Sequence, residues 1–102
     1  MLSQIDPRRI RSLVGGKIME SGETVPVVGP HDGRSIGDLD LGNAATVAAA
    51  VEAARDAQAA WAATPAVQRG AILHKACNLI EARGEELSAI VAREAGKPLK
   101  DA

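Results

Sequence analysis

The sequence predicts a segment in which short antiparallel strands, at about 13–40, precede three α-helices, at about 44–63, 65–83 and 85–95. Two observations support this prediction. Before Gly42, glycine and proline interrupt short apolar runs, a pattern typical of strands joined by turns. After Asn43, apolar residues recur at steps of three and four, which is the period of one helix face.

The strand region begins with a hairpin pattern. Residues 13–14 and 17–19 flank Gly15 and Gly16, and a polar turn over 20–23 leads to a further strand over 24–28. Pro26 lies inside that strand and has no N–H to donate, so the strand is predicted to be an edge or to carry a bulge there. Residues 35–40 alternate like a third strand.

The first helix follows Gly42, and Asn43 is its predicted N-cap because an Asn side chain accepts from free N–H groups at a helix start. Most of the stretch is Ala, the best helix former. Its candidate inward face is narrow and consists of Val47, Ala50, Val51, Ala54, Ala57 and Trp61. Such small side chains bury little area each, at ~25 cal/mol per Å². The helix therefore needs a partner surface.

The second helix is predicted to start with Thr64 as N-cap and Pro65 at the first helical position. Its apolar side comprises Ile72, Leu73, Ala76, Leu79 and Ile80. Gly84 marks a break or a weak point before the third helix, and Gly96 is the predicted C-terminal cap residue of that helix. Pro98 prevents simple continuation, and the residues after it resemble the first turn of another helix.

Composition limits the core that this chain can build. Of 102 residues, 46% are hydrophobic, but they include 20 Ala, a single Trp and no Phe or Tyr. Aromatic side chains contribute most to core energetics, and small domains bury a modest fraction of their surface. We therefore expect a segment that completes its core against further chain or a partner.

Charge and cysteine content exclude several classes of protein. The net charge of −1 gives no field for nucleic acid or an acidic membrane, and no apolar run is long enough to span a bilayer. A single Cys excludes an internal disulfide framework and favours the cytoplasm. Residues 1–12 are interpreted as a loose leader, with a basic docking arm as the alternative.

Residue chemistry alone predicts no catalytic site. His74 and Cys77 are three residues apart on a predicted helix, but nothing near them supplies an oxyanion hole or an orienting third group. Cys77 is therefore predicted to be a small buried hydrophobe, with a thiol enzyme as the alternative. His31 is interpreted as a solvated turn residue. Arg69 is either an exposed arginine or a clamp for a carboxylate from another segment.

Several modest motifs occur together in a specific order. They are a Gly-Lys strand at 14–18, Val-Val-Gly-Pro at 27–30, a strand at 33–38, an Ala-Val helix closed by Trp at 50–61, an Arg-containing helix at 69–80, and Arg-Glu-Ala-Gly-Lys-Pro at 93–98. In this order the chain resembles the N-terminal portion of the NAD(P)-dependent aldehyde dehydrogenase superfamily. It departs from the usual pattern at Gly29, Gln58 and Ala95, none of which is catalytic in the family.

The resemblance implies an α/β parent fold, in which residues 13–102 form the N-terminal part of a truncated cofactor-binding domain. The full-length family oxidises aldehydes to acids with NAD or NADP. Its catalytic Cys, general-base Glu, oxyanion-hole Asn and cofactor-binding loop lie beyond this length, so the chain alone is expected to be inactive and to bind no cofactor. Its expected partners are the remainder of the enzyme or other subunits, with a homo-oligomer at full length.

Some relatives bind a monovalent cation with backbone carbonyls and one acidic side chain. The resemblance places these ligands at Val27, Val28 and Glu94, and oxygen donors suit a hard cation. The alternative is that Glu94 is simply an acidic residue near a helix end. For the whole chain, the alternative function is a free-standing helical module that binds another protein without catalysis.

Overall fold

The computed structural model describes residues 8–102, which form five short strands and three helices. The strands are β1 (Arg9–Ile10), β2 (Ser12–Val14), β3 (Lys17–Met19), β4 (Thr24–Val28) and β5 (Ser35–Asp40). The helices are α1 (Ala44–Ala63), α2 (Ala66–Ala82) and α3 (Gly84–Ala95), and a 3-10 turn follows at Leu99–Asp101. The predicted order of strands before helices is confirmed.

The strands form two separate sheets. The first is a hairpin in which β2 and β3 pair antiparallel across Gly15 and Gly16. The second has the order β1-β5-β4, with β4 antiparallel and β1 parallel to β5. The antiparallel pairs agree with the prediction, whereas the parallel strand β1 was not predicted.

Strand β1 corrects the interpretation of residues 1–12 as a loose leader. Residues 1–7 lie outside the described part of the chain, but Arg9 and Ile10 pair with Asp38 and Leu39. A Cβ at Gly37 would lie 2.8 Å from the Arg8 carbonyl oxygen, so glycine in β5 permits this close approach. The prediction failed because a two-residue strand has no periodicity of its own and depends on a distant partner.

Pro26 lies in an edge strand, as predicted. Strand β4 pairs only with β5 in its sheet, and the register shifts between Val27 and Val28. An edge position lets a residue without an N–H occupy a strand without removing a hydrogen bond from the ladder.

Asp40 joins the strands to the first helix. It is 7% exposed, and its carboxylate accepts hydrogen bonds from the Ser21 N–H at 2.8 Å and the Gly42 N–H at 2.9 Å. The pKa of Asp40 is lowered, chiefly by the bond from Gly42, because these N–H groups favour the charged carboxylate. Gly42 adopts a left-handed conformation with φ 65°, which turns the chain from β5 into α1.

Helix α1 has the predicted N-cap. The Asn43 side chain accepts from the Thr46 N–H at 3.0 Å, and the Thr46 hydroxyl accepts from the Asn43 N–H at 3.1 Å, which is a reciprocal capping box. The predicted role of Thr64 was wrong. Its hydroxyl donates to the Ala60 carbonyl at 2.8 Å and so closes the end of α1, while Pro65 occupies the N-cap position of α2.

Helix α1 packs on the hairpin with a different face from the predicted one. Thr46, Ala49 and Ala53 are half-buried, and a Cβ at Gly15 would lie 3.6 Å from the Ala53 Cβ. Val47, by contrast, is 63% exposed, and the other residues of the predicted face are also exposed. The small side chain of Ala53 meets the hairpin because the glycine turn approaches α1 closely there.

The remaining helices expose most of their apolar side chains. Helix α2 gives way to α3 at Arg83, next to Gly84, and α3 ends at Gly96 in the left-handed conformation, as predicted. No apolar side chain in residues 8–102 is buried. The radius of gyration is 16.7 Å, against about 13 Å for a compact domain of 100 residues. The chain is therefore less compact than a typical domain of its length, as its small number of large apolar residues led us to expect.

Within residues 8–102, no helix combines the length and the apolar character that crossing a membrane requires.

Candidate functional site

Two of the three predicted cation ligands line a cavity between the three-stranded sheet and α3. The cavity has a volume of about 300 Å³, and both Val27 and Glu94 line it. Val28 is the next residue of β4 but is not part of the lining, and its side chain is 51% exposed. The structure therefore brings together two of the three predicted positions, which are 67 residues apart in the sequence.

Charged groups of both signs surround this cavity. Its lining residues include the acidic Glu86 and Glu94 and the basic Arg8 and Arg93. The pKa of Glu86 is lowered because Arg83 donates to both of its oxygens, from Nε at 2.9 Å and from Nη2 at 2.8 Å. Glu94 makes no hydrogen bond or ion pair within the described residues.

The side chains alone do not form a metal site of the transition-metal type. Among residues 8–102, no group of three or more His, Cys, Asp or Glu residues is arranged to hold a metal ion. A site here would need backbone carbonyls beside the single carboxylate of Glu94, and such an all-oxygen set suits alkali and alkaline-earth cations.

A larger and more basic cleft lies beside this cavity, and the sequence analysis did not foresee it. Its volume is about 800 Å³, and it opens between the β4–β5 turn and the end of α3. Its lining includes five basic and two acidic residues: Arg8, Arg9, Arg34, Arg93 and Lys97, with Asp32 and Asp38. These charges are scattered over about 90 residues, so no local pattern in the sequence predicts their meeting.

The turn that carries His31 is held by its own backbone. The Gly29 N–H donates to the Arg34 carbonyl at 2.9 Å, and the Gly33 N–H donates to the Gly29 carbonyl at 2.9 Å. The Asp32 side chain accepts from the Arg34 N–H at 3.0 Å. His31 is exposed at the edge of the larger cleft, as a turn residue was expected to be.

Cys77 lies apart from both cavities. It is in α2, a helix that contributes no lining residue to either space, and it is exposed. The prediction of a buried Cys77 is therefore wrong for this chain, because nothing in residues 8–102 covers that side of α2. Neither cavity is therefore lined by a thiol.

Comparison with known proteins gives a consistent result. The model of the aldehyde dehydrogenase family matches residues 18–102. A betaine aldehyde dehydrogenase from Cereibacter sphaeroides is 43% identical over 82 residues, which are 80% of this chain and 17% of that protein.

Solved structures agree in fold as well as sequence. A NAD-dependent benzaldehyde dehydrogenase from Corynebacterium glutamicum superposes with a TM-score of 0.85 at 36% identity, over 96% of this chain and 21% of that one. A succinate-semialdehyde dehydrogenase from Burkholderia pseudomallei gives a TM-score of 0.86 at 36% identity, over 93% and 20%. This chain thus spans about a fifth of the length of the relatives it matches.

Proposed function

Because the chain belongs to the aldehyde dehydrogenase family, we propose that it is the N-terminal part of an enzyme that oxidises an aldehyde to the carboxylic acid with NAD(P)+. The observation that carries this proposal is the family match over 18–102, in relatives about five times as long. NAD is the first candidate for the cofactor, since the benzaldehyde dehydrogenase of similar fold is described as NAD-dependent. NADP is the alternative.

In this proposal, residues 13–102 are the first part of the cofactor-binding domain and have a structural role. The cavities described above contain no thiol that could attack an aldehyde. Catalysis and cofactor binding would therefore come from the rest of the enzyme, and the 102-residue chain would be inactive alone. Its partners would be that remainder and, in a homo-oligomer, other subunits. A cytoplasmic location is supported by the single cysteine.

A monovalent cation is a second element of the proposal. Its ligands would be the carbonyls of Val27 and Val28 and the carboxylate of Glu94. The shared cavity of Val27 and Glu94 supports this assignment, as does the absence of a hydrogen-bond partner for Glu94 within the described residues. An ion at this point would tie the sheet to the end of α3.

The test is an activity assay on the full-length protein and on residues 1–102 alone. Formation of reduced nicotinamide is followed with betaine aldehyde, benzaldehyde and succinate semialdehyde, which carry a positive, neutral and negative charge. The full-length protein should oxidise at least one of them, and the isolated chain should match the blank. A full-length protein inactive on all aldehydes with both cofactors would refute the proposal.

The same activity assay, run with different cations, tests the cation site. Activity and thermal stability of the full-length wild type should depend on the choice between sodium, potassium and a bulky organic cation. Glu94→Gln should remove that dependence, whereas Glu81→Gln, an exposed acid on α2 away from both cavities, should keep it. Equal cation dependence in wild type and Glu94→Gln would contradict the site. Light scattering measures the oligomeric state directly.

One observation favours the alternative of a free-standing interaction module, namely the exposed apolar side of α2. The gene sequence beyond residue 102 distinguishes the enzyme segment from the interaction module. A reading frame that continues past residue 102 with a cofactor loop and a catalytic Cys and Glu excludes the module.

A further inference from the structure

Arg69 has an unusual environment in α2. The helix has 17 residues, and Arg69 is the only one of them that is not exposed. Its apolar neighbours are far more accessible, with Ile72 at 55% and Leu73 at 62%. This reverses the usual order, in which arginine is among the residues least often covered unless it is paired.

The Nε atom of Arg69 is buried and has no hydrogen-bond partner within residues 8–102. It is the one buried side-chain nitrogen or oxygen in this part of the chain with no such partner. A guanidinium does not lose its proton in proteins, so it cannot avoid the cost of burial by becoming neutral. A buried N–H of a charged group therefore requires an acceptor from elsewhere.

We propose that a carboxylate side chain from the enzyme outside residues 1–102 binds Arg69, accepting from Nε–H and from one Nη–H. The inference rests on the proposed function, since it requires the longer enzyme. A carboxylate fits because its two oxygens match the planar fork of a guanidinium and because it neutralises the charge. A main-chain carbonyl would satisfy only one N–H and leave the charge unpaired.

The surroundings of Arg69 fit an interface within the enzyme. The exposed apolar residues of the same helix, Ile72, Leu73, Leu79 and Ile80, give a surface whose burial favours docking. A single charged pair inside such a surface fixes the register of the two surfaces, because a shifted arrangement would leave the arginine unpaired. Arg69 is thus a positioning residue for the packing of α2.

The experiment uses the full-length enzyme and three variants. Arg69→Met removes the charge and keeps an unbranched apolar stem, Arg69→Lys keeps the charge without the fork, and Arg55→Met is the control. Arg55 is an exposed arginine of α1 that makes no hydrogen bond or ion pair within residues 8–102. We expect Arg69→Met to lower Tm by several degrees, Arg69→Lys to lower it by less, and Arg55→Met to leave it unchanged.

A structure of the full-length wild type decides the chemistry of the acceptor, even where Arg69→Met does not fold. We expect a carboxylate oxygen from a residue beyond 102 within about 3.2 Å of Nε. A water, a carbonyl or an acid from residues 1–102 at that place would overturn the proposal, as would equal Tm values for Arg69→Met and Arg55→Met. An active wild type with either result refutes the docking alone, whereas an inactive wild type refutes the proposed function.

Discussion

The strand region, residues 8–42, and the helical region, residues 43–102, differ in how far their polar and apolar groups find partners. In the strand region, polar groups find partners within the region itself. The Asp40 carboxylate is held by two backbone N–H groups, and β4 and β5 pair along their length. In the helical region the backbone is capped at Asn43 and Gly96, but the apolar side chains lack a surface to pack against.

This difference shows that hydrogen bonds and the burial of apolar surface contribute to the structure in different ways. Hydrogen bonds give the strand region its turns and register, yet a net stabilisation of only about 1 kcal/mol each. The hydrophobic effect needs area removed from water, and residues 8–102 contain no buried apolar side chain. We therefore expect the helices to depend on the remainder of the proposed enzyme for their tertiary stability, and the strand region, which cross-strand hydrogen bonds hold together, to depend on it less.

The largest expected effect comes from Leu73→Ala in α2. Leu73 is 62% exposed in this chain, so the free energy of unfolding of the isolated chain should change by no more than about 0.5 kcal/mol. In the full-length enzyme, where we expect Leu73 to be covered, the loss should be about 2–5 kcal/mol. Denaturant unfolding of both proteins measures the contrast.

Lys75→Ala serves as the matched control for Leu73→Ala. It is an exposed position of the same helix, and it should have little effect in either protein. A small loss for Leu73→Ala in the full-length enzyme would show that α2 stays exposed there and would remove the basis of the comparison.

A smaller effect is expected from Asp40→Asn in the strand region. Hydrogen bonds lower the folded-state pKa of Asp40, so its charge stabilises the fold above the unfolded pKa, about 3.9. That contribution is lost as the pH falls through the lower folded pKa. The urea midpoint of the full-length variant should therefore lie below wild type at neutral pH, and the gap should close under acidic conditions.

Asp56→Asn is the control for this pH dependence, because Asp56 is an exposed acid of α1 that makes no hydrogen bond in the described part of the chain. Its urea midpoint should follow wild type at every pH. If the gap for Asp40→Asn were the same at neutral and acidic pH, the stabilisation would not come from the charge of the carboxylate.

Much of the secondary structure was predictable because its causes are local. The bounds of α1, the capping by Asn43 and Gly96, and the edge position of Pro26 follow from side chains within a few residues of each feature. Thr64 was assigned to the wrong helix because its hydroxyl can serve either the start of one helix or the end of another. Its bond to Ala60 shows the second use.

The failures outside the helix ends involve distant partners. The pairing of β1 with β5 joins residues 29 apart, such as Arg9 and Asp38. The face of α1 that meets the hairpin depends on the approach of Gly15. Among the candidate site residues, only the family resemblance connected Val27 with Glu94. For Arg69 the sequence left open an exposed arginine and a carboxylate clamp, and its buried Nε favours the clamp.

Amide hydrogen exchange tests the dependence of the helices on the rest of the enzyme most directly. It is measured on residues 1–102 alone and on the full-length enzyme, and protection is compared element by element. We predict that α2 loses nearly all its protection in the isolated chain, while the amides of the β4–β5 pair and of Ser21 and Gly42 lose less. Equal protection of α2 in both proteins would contradict the account.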